Sequence, residues 1–154
     1  MGSQHALGRR RRSPDELDAI AARLVDRVTR RMRAADRVGR TVVLRLRFDD
    51  FSRATRSHTL LRPTAHTETI LATVRALLHT AAPIIEHQGI TLVGIAVANL
   101  DDGMTQLVLP FDRQAGGALD AALDNVRDRF GSAAVTRAAL LGTSPGVSVP
   151  LLPD

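Results

Sequence analysis

The sequence predicts an α+β domain in which two long helices cover one face of a small β-sheet. Two stretches repeat apolar residues every three or four positions, which is the spacing of an amphipathic helix. Three other stretches alternate apolar and polar residues, or run apolar with many β-branched side chains, as strands do. The order is helix, strand, strand, helix, strand. We therefore expect both helices on one side of the sheet and an open face on the other.

The composition excludes several classes of function. A chain of 154 residues with 44% hydrophobic content suits one domain with its own core. The absence of cysteine removes disulfides, thiol nucleophiles and thiolate metal sites. No apolar run approaches the roughly 20 residues that span a bilayer, and the N-terminus lacks the apolar region of a signal peptide. We expect a soluble, intracellular protein with no membrane partner.

The charge is distributed unevenly along the chain. Residues 1–62 hold 16 arginines and seven acidic residues, a formal +9, whereas residues 63–154 sum to −4. The first part is therefore the part that we expect to meet an anion. All 21 basic residues are arginine, which fits bidentate phosphate contacts and fits a GC-rich genome equally well.

The first helix is predicted after a short basic segment. That segment ends in four arginines, Arg9 to Arg12, and is either a solvated tail or a phosphate-binding arm that leads into the domain. Ser13 to Glu16 has the signature of a helix start, with serine as N-cap and proline in the first turn. The helix should run to about Asp36, and Gly39 should end the helical region. Its arginines are expected to form a solvated face with local ion pairs.

The stretch from Val42 to Phe48 is the strand around which the rest is organised. Its even-numbered residues are apolar and point one way, while Arg45 and Arg47 point the other way. Arginines on a bare sheet face indicate a polyanion-binding surface, because guanidinium groups match phosphate oxygens. Asp49-Asp50 predicts a turn rather than a metal site, and Thr55 to Leu60 should return as the second strand of a hairpin.

The second helix should begin after Pro63-Thr64 and end before Gly89, with Pro83 kinking or shortening its last turns. Ile90 to Leu100 follows as a buried strand with one bulky side and one side of small residues. The small side lets the backbone of another molecule come close. It consists of Gly94, Ala96 and Ala98. Four histidines lack the spacing of a metal site and are expected at the surface or its boundary. They are His58, His66, His79 and His87.

The run from Gly39 to Ser57, the helix after it and the strand at Leu92 to Asn99 resemble the little finger domain of bacterial Y-family DNA polymerases of the DNA polymerase IV type. The opening Gly2 to Gly8 looks like the first strand of that domain, which would make the order βαββαβ with a four-stranded sheet. The resemblance covers about residues 2–100. In this family the open sheet lies in the major groove and grips both backbones of primer-template DNA.

The resemblance also implies which residues bind DNA. Carried over by position, they are Arg45, Arg47, Thr55, Arg56 and Ser57. Neighbouring arginines complete the candidate set, namely Arg53, Arg10 and Arg12. Ala96 stands where some relatives have arginine, so the last strand is expected to contribute less to the grip.

A second motif, Gln106 to Phe111, fits Gln-x-x-Leu-x-Phe, the pattern by which bacterial polymerases bind the sliding clamp. Leu109 and Phe111 would enter an apolar cleft while the Gln106 amide bonds at its edge. Leu107 and Pro110 complete the candidate site. The expected partner is the DNA polymerase III sliding clamp, its beta subunit. The alternative is an ordinary strand, which Pro110 disfavours because proline cannot donate to a ladder.

The last part of the chain predicts one more helix. Gly116-Gly117 should interrupt regular structure. A short amphipathic helix is predicted after it, and Gly131 should end that helix. Its apolar stripe is Leu119, Leu123, Val126 and Phe130. This part would either pack on the domain or swing free. The predicted organisation is a little finger domain at 2–101, a linker with the clamp motif at 102–115 and a C-terminal extension at 116–154.

We expect a DNA-binding and clamp-docking fragment of an error-prone translesion polymerase, monomeric and cytoplasmic at the nucleoid. It should not catalyse alone, because polymerase chemistry needs metal-binding carboxylates around the nucleotide, which in the family lie in the palm. No cofactor is expected in this fragment, and Mg²⁺ is expected for the parent polymerase. The alternatives are a protein-interaction module and an unrelated RNA-binding α+β domain. The latter is disfavoured because the chain has no Tyr or Trp and only four Phe for base stacking.

Overall fold

The computed structural model describes residues 1–8, 11–102, 115–136, 138 and 148–149. The elements in chain order are β1 (Gly2–Ala6), α1 (Pro14–Ala34), β2 (Arg37–Phe48), β3 (Arg53–Thr64), α2 (Thr67–Gln88), β4 (Ile90–Asp102), α3 (Ala115–Phe130) and β5 (Ser148–Val149). The first six elements follow the order βαββαβ, which confirms the predicted α+β fold and its first strand. The short helix predicted in the C-terminal extension is also present.

The strands form one antiparallel sheet in the order β3-β2-β4-β1-β5. The two long strands β2 and β3 are a hairpin, and β4 is inserted between β2 and β1. The two-residue β5 pairs with β1 at Gln4 and His5 and was not predicted from the sequence. The sheet therefore has a long two-stranded half, β3 and β2, and a half in which β4 leads to the short edge strands.

The alternation in β2 sets which face of the sheet is buried. Val42, Leu44, Leu46 and Phe48 are all buried, as predicted. Each fully buried side chain of this size contributes about 1.5–3 kcal/mol, so a one-residue slip of register would expose all four. The other side chains of this core come from both helices and from β4. They include Leu24, Val28, Met32, Ile70, Leu71, Val74, Val93, Ile95 and Val97.

The start of α1 is the predicted capping box. The Ser13 hydroxyl accepts from the Glu16 amide at 3.1 Å, and the Ser13 amide donates to the Glu16 carboxylate at 3.0 Å. The end differs from the prediction, because Asp36 makes the turn with φ 48° and β2 begins at Arg37. Gly39 is therefore a strand residue and not a helix breaker. It is buried, and a Cβ there would clash with the Val97 side chain.

Two prolines lie inside regular elements. Thr55 to Leu60 was predicted as the second strand, but β3 extends at both ends and passes through Pro63. A strand at the edge of the sheet tolerates proline because its outer amide has no ladder partner. The helix α2 therefore begins later, at Thr67 with His66 as N-cap. Pro83 does not end α2, which continues to Gln88.

The extension helix α3 packs on the outer side of the helix layer, so it does not swing free. Arg33 of α1 bonds the Asp124 carboxylate through Nε at 2.6 Å and Nη2 at 3.1 Å. Asp120 is buried and accepts from the Thr67 amide at the start of α2 at 2.9 Å. Arg127, only 6% exposed, donates to Asp26 at 3.0 Å. Polar contacts thus attach α3 to both helices, while its predicted apolar stripe is mostly exposed, with Leu119 56% and Phe130 69% accessible.

Candidate nucleic-acid interface

The face of the sheet that the helices leave open carries most of the predicted DNA-binding residues. Cross-strand partners in an antiparallel sheet share one face. The register pairs Arg45 with Thr55, Arg47 with Arg53 and Val43 with Ser57. Arg45 and Arg47 are half-buried, whereas their partners on β3 are exposed. The hairpin therefore brings five of the candidates onto one surface, which we call the open face.

Arg47 and Arg53 stand directly opposite each other on this face. Like charges in that position destabilise a strand pair, and a bound anion would remove the repulsion. A hydrogen bond also orients the Arg47 side chain, because its Nε donates to the Thr91 hydroxyl at 3.2 Å. That hydroxyl in turn bonds the carbonyl oxygens of Arg47 and Phe48 at 3.1 and 3.2 Å. The Arg47 guanidinium is therefore oriented before any ligand arrives.

The β4 strip of the open face beside Arg45 consists mostly of small residues. Arg45 pairs on its second side with Gly94, and the adjacent positions of β4 on this face are Ala96 and Ala98. A Cβ added at Gly94 would lie 3.3 Å from Cβ of Gln4, so even one methyl group would be tight. The predicted small-residue side of β4 thus lies beside the arginines. A ligand held by the β2–β3 half can approach the backbone of β4 closely.

Two hydroxyls on the open face were missed by the sequence reasoning. Thr41 and Thr59 lie opposite each other, with their Oγ1 atoms 3.2 Å apart. The Asn99 side-chain amide donates to Thr41 at 2.8 Å. The signal was present in the sequence, because Thr41 has the same odd-numbered phase as Arg45. Hydroxyl and amide donors are those that phosphate contacts use.

The structure separates Arg56 from the other candidates. Arg56 pairs with Leu44, so it leaves β3 on the helix side, as Ala54 does opposite Leu46. Its Nη1 donates to the Thr55 carbonyl at 3.3 Å. The reason is the two-residue period of a strand: Thr55 and Ser57 share a face that the residue between them cannot share. Arg56 therefore does not share the open face with the other candidates of β3, and its role in DNA binding stays a prediction.

The remaining candidates lie elsewhere. Arg12 stands at the start of α1, where its Nη2 donates to the Leu7 carbonyl at 2.9 Å and its Nη1 lies 3.7 Å from Glu16. Arg10 lies outside the described residues. So does the whole predicted clamp site, which comprises Gln106, Leu107, Leu109, Pro110 and Phe111.

The aspartate pair after β2 forms a turn, as predicted. The Asp50 carboxylate accepts from the Ser52 hydroxyl at 2.5 Å and from the Ser52 amide at 2.9 Å. These bonds hold the pKa of Asp50 below its ordinary value. In the part of the chain that the structure describes, no three His, Asp or Glu side chains gather as a metal site would require. None of the described helices has the length and apolarity to cross a bilayer.

The fold and the open face define a class of α+β domain in which helices cover one side of an antiparallel sheet and arginines lie on the other. A family model described as the impB/mucB/samB family C-terminal domain matches residues 1–109, and the chain belongs to this family. The solved structure of a complex of the beta-clamp processivity factor and the little finger domain of PolIV is similar to it, with a TM-score of 0.53 and 26% identity. That match covers 72% of this chain and 97% of the other.

Curated relatives give the same picture. The chain is 36% identical over 150 residues to DNA polymerase IV 2 of Mesorhizobium japonicum, with 87% of this chain covered. It is 33% identical over 148 residues to DNA polymerase IV of Moorella thermoacetica, with 96% covered. In both cases it spans 36% of the relative's length. The resemblance to the little finger of Y-family polymerases is confirmed.

Proposed function

We propose that this chain is the DNA-gripping domain of an error-prone translesion DNA polymerase and that its open face lies along the backbones of primer-template DNA. One observation carries the proposal: Arg45, Arg47 and Arg53 converge on the bare side of a sheet. Guanidinium and hydroxyl donors suit phosphate oxygens and carry no base code, so binding should depend little on sequence. The proposal is supported by the family to which the chain belongs.

The test is a salt titration of primer-template binding. Changing Arg45 and Arg47 together to Ala should weaken binding and reduce the slope of log K against log salt by about 2, since each lost phosphate contact removes about 0.9. The matched control is Arg75→Ala with Arg129→Ala, which removes the same charge from the helix side. A slope that stays the same in the first variant, or falls equally in the control, would contradict the assignment of the open face.

We further propose that Gln106 to Phe111 docks into the sliding clamp of DNA polymerase III. The support is the residue pattern together with a similar little finger domain that is solved with a clamp processivity factor. Two buried anchors, Leu109 and Phe111, contribute roughly 1.5–3 kcal/mol each before ordering costs. With peripheral contacts this gives about micromolar affinity. Such a weak grip would let polymerases exchange on one clamp.

Catalysis is proposed to belong to the rest of the parent polypeptide. Nucleotidyl transfer needs Mg²⁺ held by carboxylates around the incoming nucleotide. We propose that the chain itself acts as a monomer in the cytoplasm at the nucleoid, and that it positions DNA and clamp for that reaction. Adding Mg²⁺ and deoxynucleotides to this chain with primer-template DNA should give no primer extension.

A further inference from the structure

A second arginine-lined surface lies on the helix side of the sheet, away from the open face. It is a cleft of about 440 Å³ between the middle of α1 and the end of α3. Five arginines line it: Arg23, Arg27, Arg30, Arg31 and Arg127. Of the described residues in its wall, one, Asp26, is acidic. The formal charge of the wall is therefore +4, and the cleft attracts anions.

Arg127 and Asp26 hold one wall of the cleft in place. Arg127 Nη1 donates to Asp26 Oδ1 at 3.0 Å, while its Nε and Nη2 donate to the Val135 carbonyl at 3.3 and 3.2 Å. The charge of Asp26 is therefore already balanced by a buried partner. Arg30 forms a more exposed pair with Asp128, at 2.7 Å. These pairs fix the wall and leave Asp26 little free charge to repel an anion.

Arg27 and Arg31 supply the charge that an entering ligand would meet first. Both side chains are exposed, and they stand one helical turn apart on the same side of α1. Arg31 Nη1 donates to the Gly2 carbonyl oxygen at 3.2 Å. This neutral acceptor orients the guanidinium group without cancelling its charge.

An imidazole on β1 responds to the same positive field. His5 pairs with Val93 and so faces the helix side of the sheet. Burial lowers the pKa of His5, and the charges of Arg23, Arg12 and Arg27 lower it further. Arg23 and Arg27 also line the cleft, so His5 reports an anion that binds there and neutralises their charge.

We propose that this cleft binds phosphate groups, carried either by a free diphosphate or by a nucleic-acid strand other than the duplex on the open face. Planar guanidinium forks match phosphate oxygens in pairs. The Ser132 hydroxyl in the wall is the other donor type that phosphate contacts use. A multiply charged ligand balances several arginines of the wall better than a single carboxylate does. Because the cleft and the open face lie on opposite sides of the sheet, both can be occupied at once.

The test follows the NMR signals of the His5 imidazole in the full chain. Inorganic diphosphate and a single-stranded oligonucleotide are titrated separately, the latter with duplex already bound to the open face. A poly-glutamate peptide serves as the carboxylate probe. We expect diphosphate to shift the His5 signals saturably and to raise the pKa of His5. Arg27→Glu should weaken this binding by about tenfold or more, because it replaces a charge-assisted contact with repulsion.

The matched control is Arg129→Glu, which makes the same charge change at an exposed residue of α3 outside the cleft. Retained diphosphate binding in this control supports the cleft, whereas equal losses in both variants overturn it. If the oligonucleotide reproduces the His5 response, the phosphate groups that bind the cleft belong to a nucleic-acid strand. If only diphosphate produces the response, the ligand is a free phosphate compound. No His5 response to either, or an equal response to poly-glutamate, overturns the proposal. The variant with Arg45 and Arg47 changed should keep the response, which separates this site from the open face.

Discussion

The Arg33 side chain joins three parts of the molecule. Besides its two bonds to Asp124, its Nη1 donates to the Ala65 carbonyl and to the Thr67 hydroxyl, both at 3.0 Å. It also lies 3.4 Å from Asp120, whose side chain is only 8% exposed. One guanidinium thus connects α1, the β3–α2 connection and α3. The sequence predicted Arg33 to lie on a solvated face of α1. Instead it is largely buried and holds three elements together.

Replacing Arg33 with Ala should lower the free energy of unfolding by about 3–5 kcal/mol, because two largely buried carboxylates lose their partner. Urea denaturation measures the loss. Arg37→Ala is the comparison, since Arg37 pairs with the exposed Asp102 at 3.0 Å and such a pair is worth at most about 1 kcal/mol. Similar losses in the two variants would show that burial does not govern these pairs.

The pair of Asp18 and Arg75 predicts a dependence on pH. Two hydrogen bonds, of 2.7 and 2.8 Å, from Arg75 lower the pKa of Asp18 from its ordinary value of 3.8. A depressed folded-state pKa gives stability that is present above 3.8 and is lost as pH falls through the lowered value. Both side chains are substantially exposed, so the contribution is below about 1 kcal/mol.

We therefore expect Arg75→Ala to raise the pKa of Asp18, as measured by NMR titration of its carboxyl carbon. The stability difference from the unchanged protein should be small at neutral pH and should vanish in acid, where the carboxyl is protonated in both. Arg129→Ala provides the control and should leave the Asp18 titration unaltered. A stability difference that grows in acid would contradict the stabilisation of the Asp18 carboxylate by Arg75.

At the scale of elements, the backbone of β2 packs closely against side chains of β4 and α1 at Gly39. A Cβ there would meet side chains of Val97, Leu100 and Met32. Glycine in a strand normally costs about 0.5–1 kcal/mol relative to alanine, so alanine would ordinarily stabilise β2. Here the added methyl would overpack a rigid, buried site.

Gly39→Ala should accordingly destabilise the fold by about 1–3 kcal/mol, as measured by thermal or urea unfolding. Gly94→Ala is the useful comparison, because its nearest neighbours would lie at 3.3 and 3.6 Å on the open face. Gly94→Ala should lower the free energy of unfolding by less than Gly39→Ala does. A gain in stability from Gly39→Ala would mean that the strand can move aside.

The elements also show what the sequence can and cannot reveal. The alternation of β2, the Ser13 capping box and the order of the five elements from α1 to β4 follow from local patterns, whereas the first strand was implied by the family resemblance. The structure confirms all of them. The early start of β2 was missed because glycine usually ends an element, whereas Gly39 lies inside the strand at a tightly packed site. The length of β3 was missed because proline usually ends a strand, whereas Pro63 is tolerated at the edge of the sheet. The docking of α3 and the pairing of β5 depend on contacts between distant residues. No local spacing encodes such contacts.

The same limit applies to the candidate interface. Strand period alone placed Arg45 and Arg47 on one face, and it could equally have excluded Arg56 and included Thr41. The opposition of Arg47 and Arg53 depended on the hairpin register, which the sequence left open. Recognising that Arg33 and Arg127 are structural, unlike the arginines of the open face, required knowing where α3 packs.

For the molecule as a whole, the two proposed partners use different parts of the chain. Changing Gln106, Leu109 and Phe111 to Ala should abolish retention on immobilised sliding clamp, because both apolar anchors and the edge hydrogen bond are lost. Affinity for primer-template DNA should remain within about twofold, as measured by anisotropy. The open-face variant is the reciprocal control and should lose DNA while keeping the clamp. Loss of both activities in either variant would mean that the surfaces are not independent.

The position of β3 at the rim of the sheet has a final consequence. An outer strand with free amides can recruit the same strand of another copy and start edge-to-edge aggregation. Here Pro63 removes one donor from that rim, and the arginines along β3 repel a second identical strand. The sheet therefore ends, on its β3 side, in a strand that disfavours edge-to-edge pairing between copies.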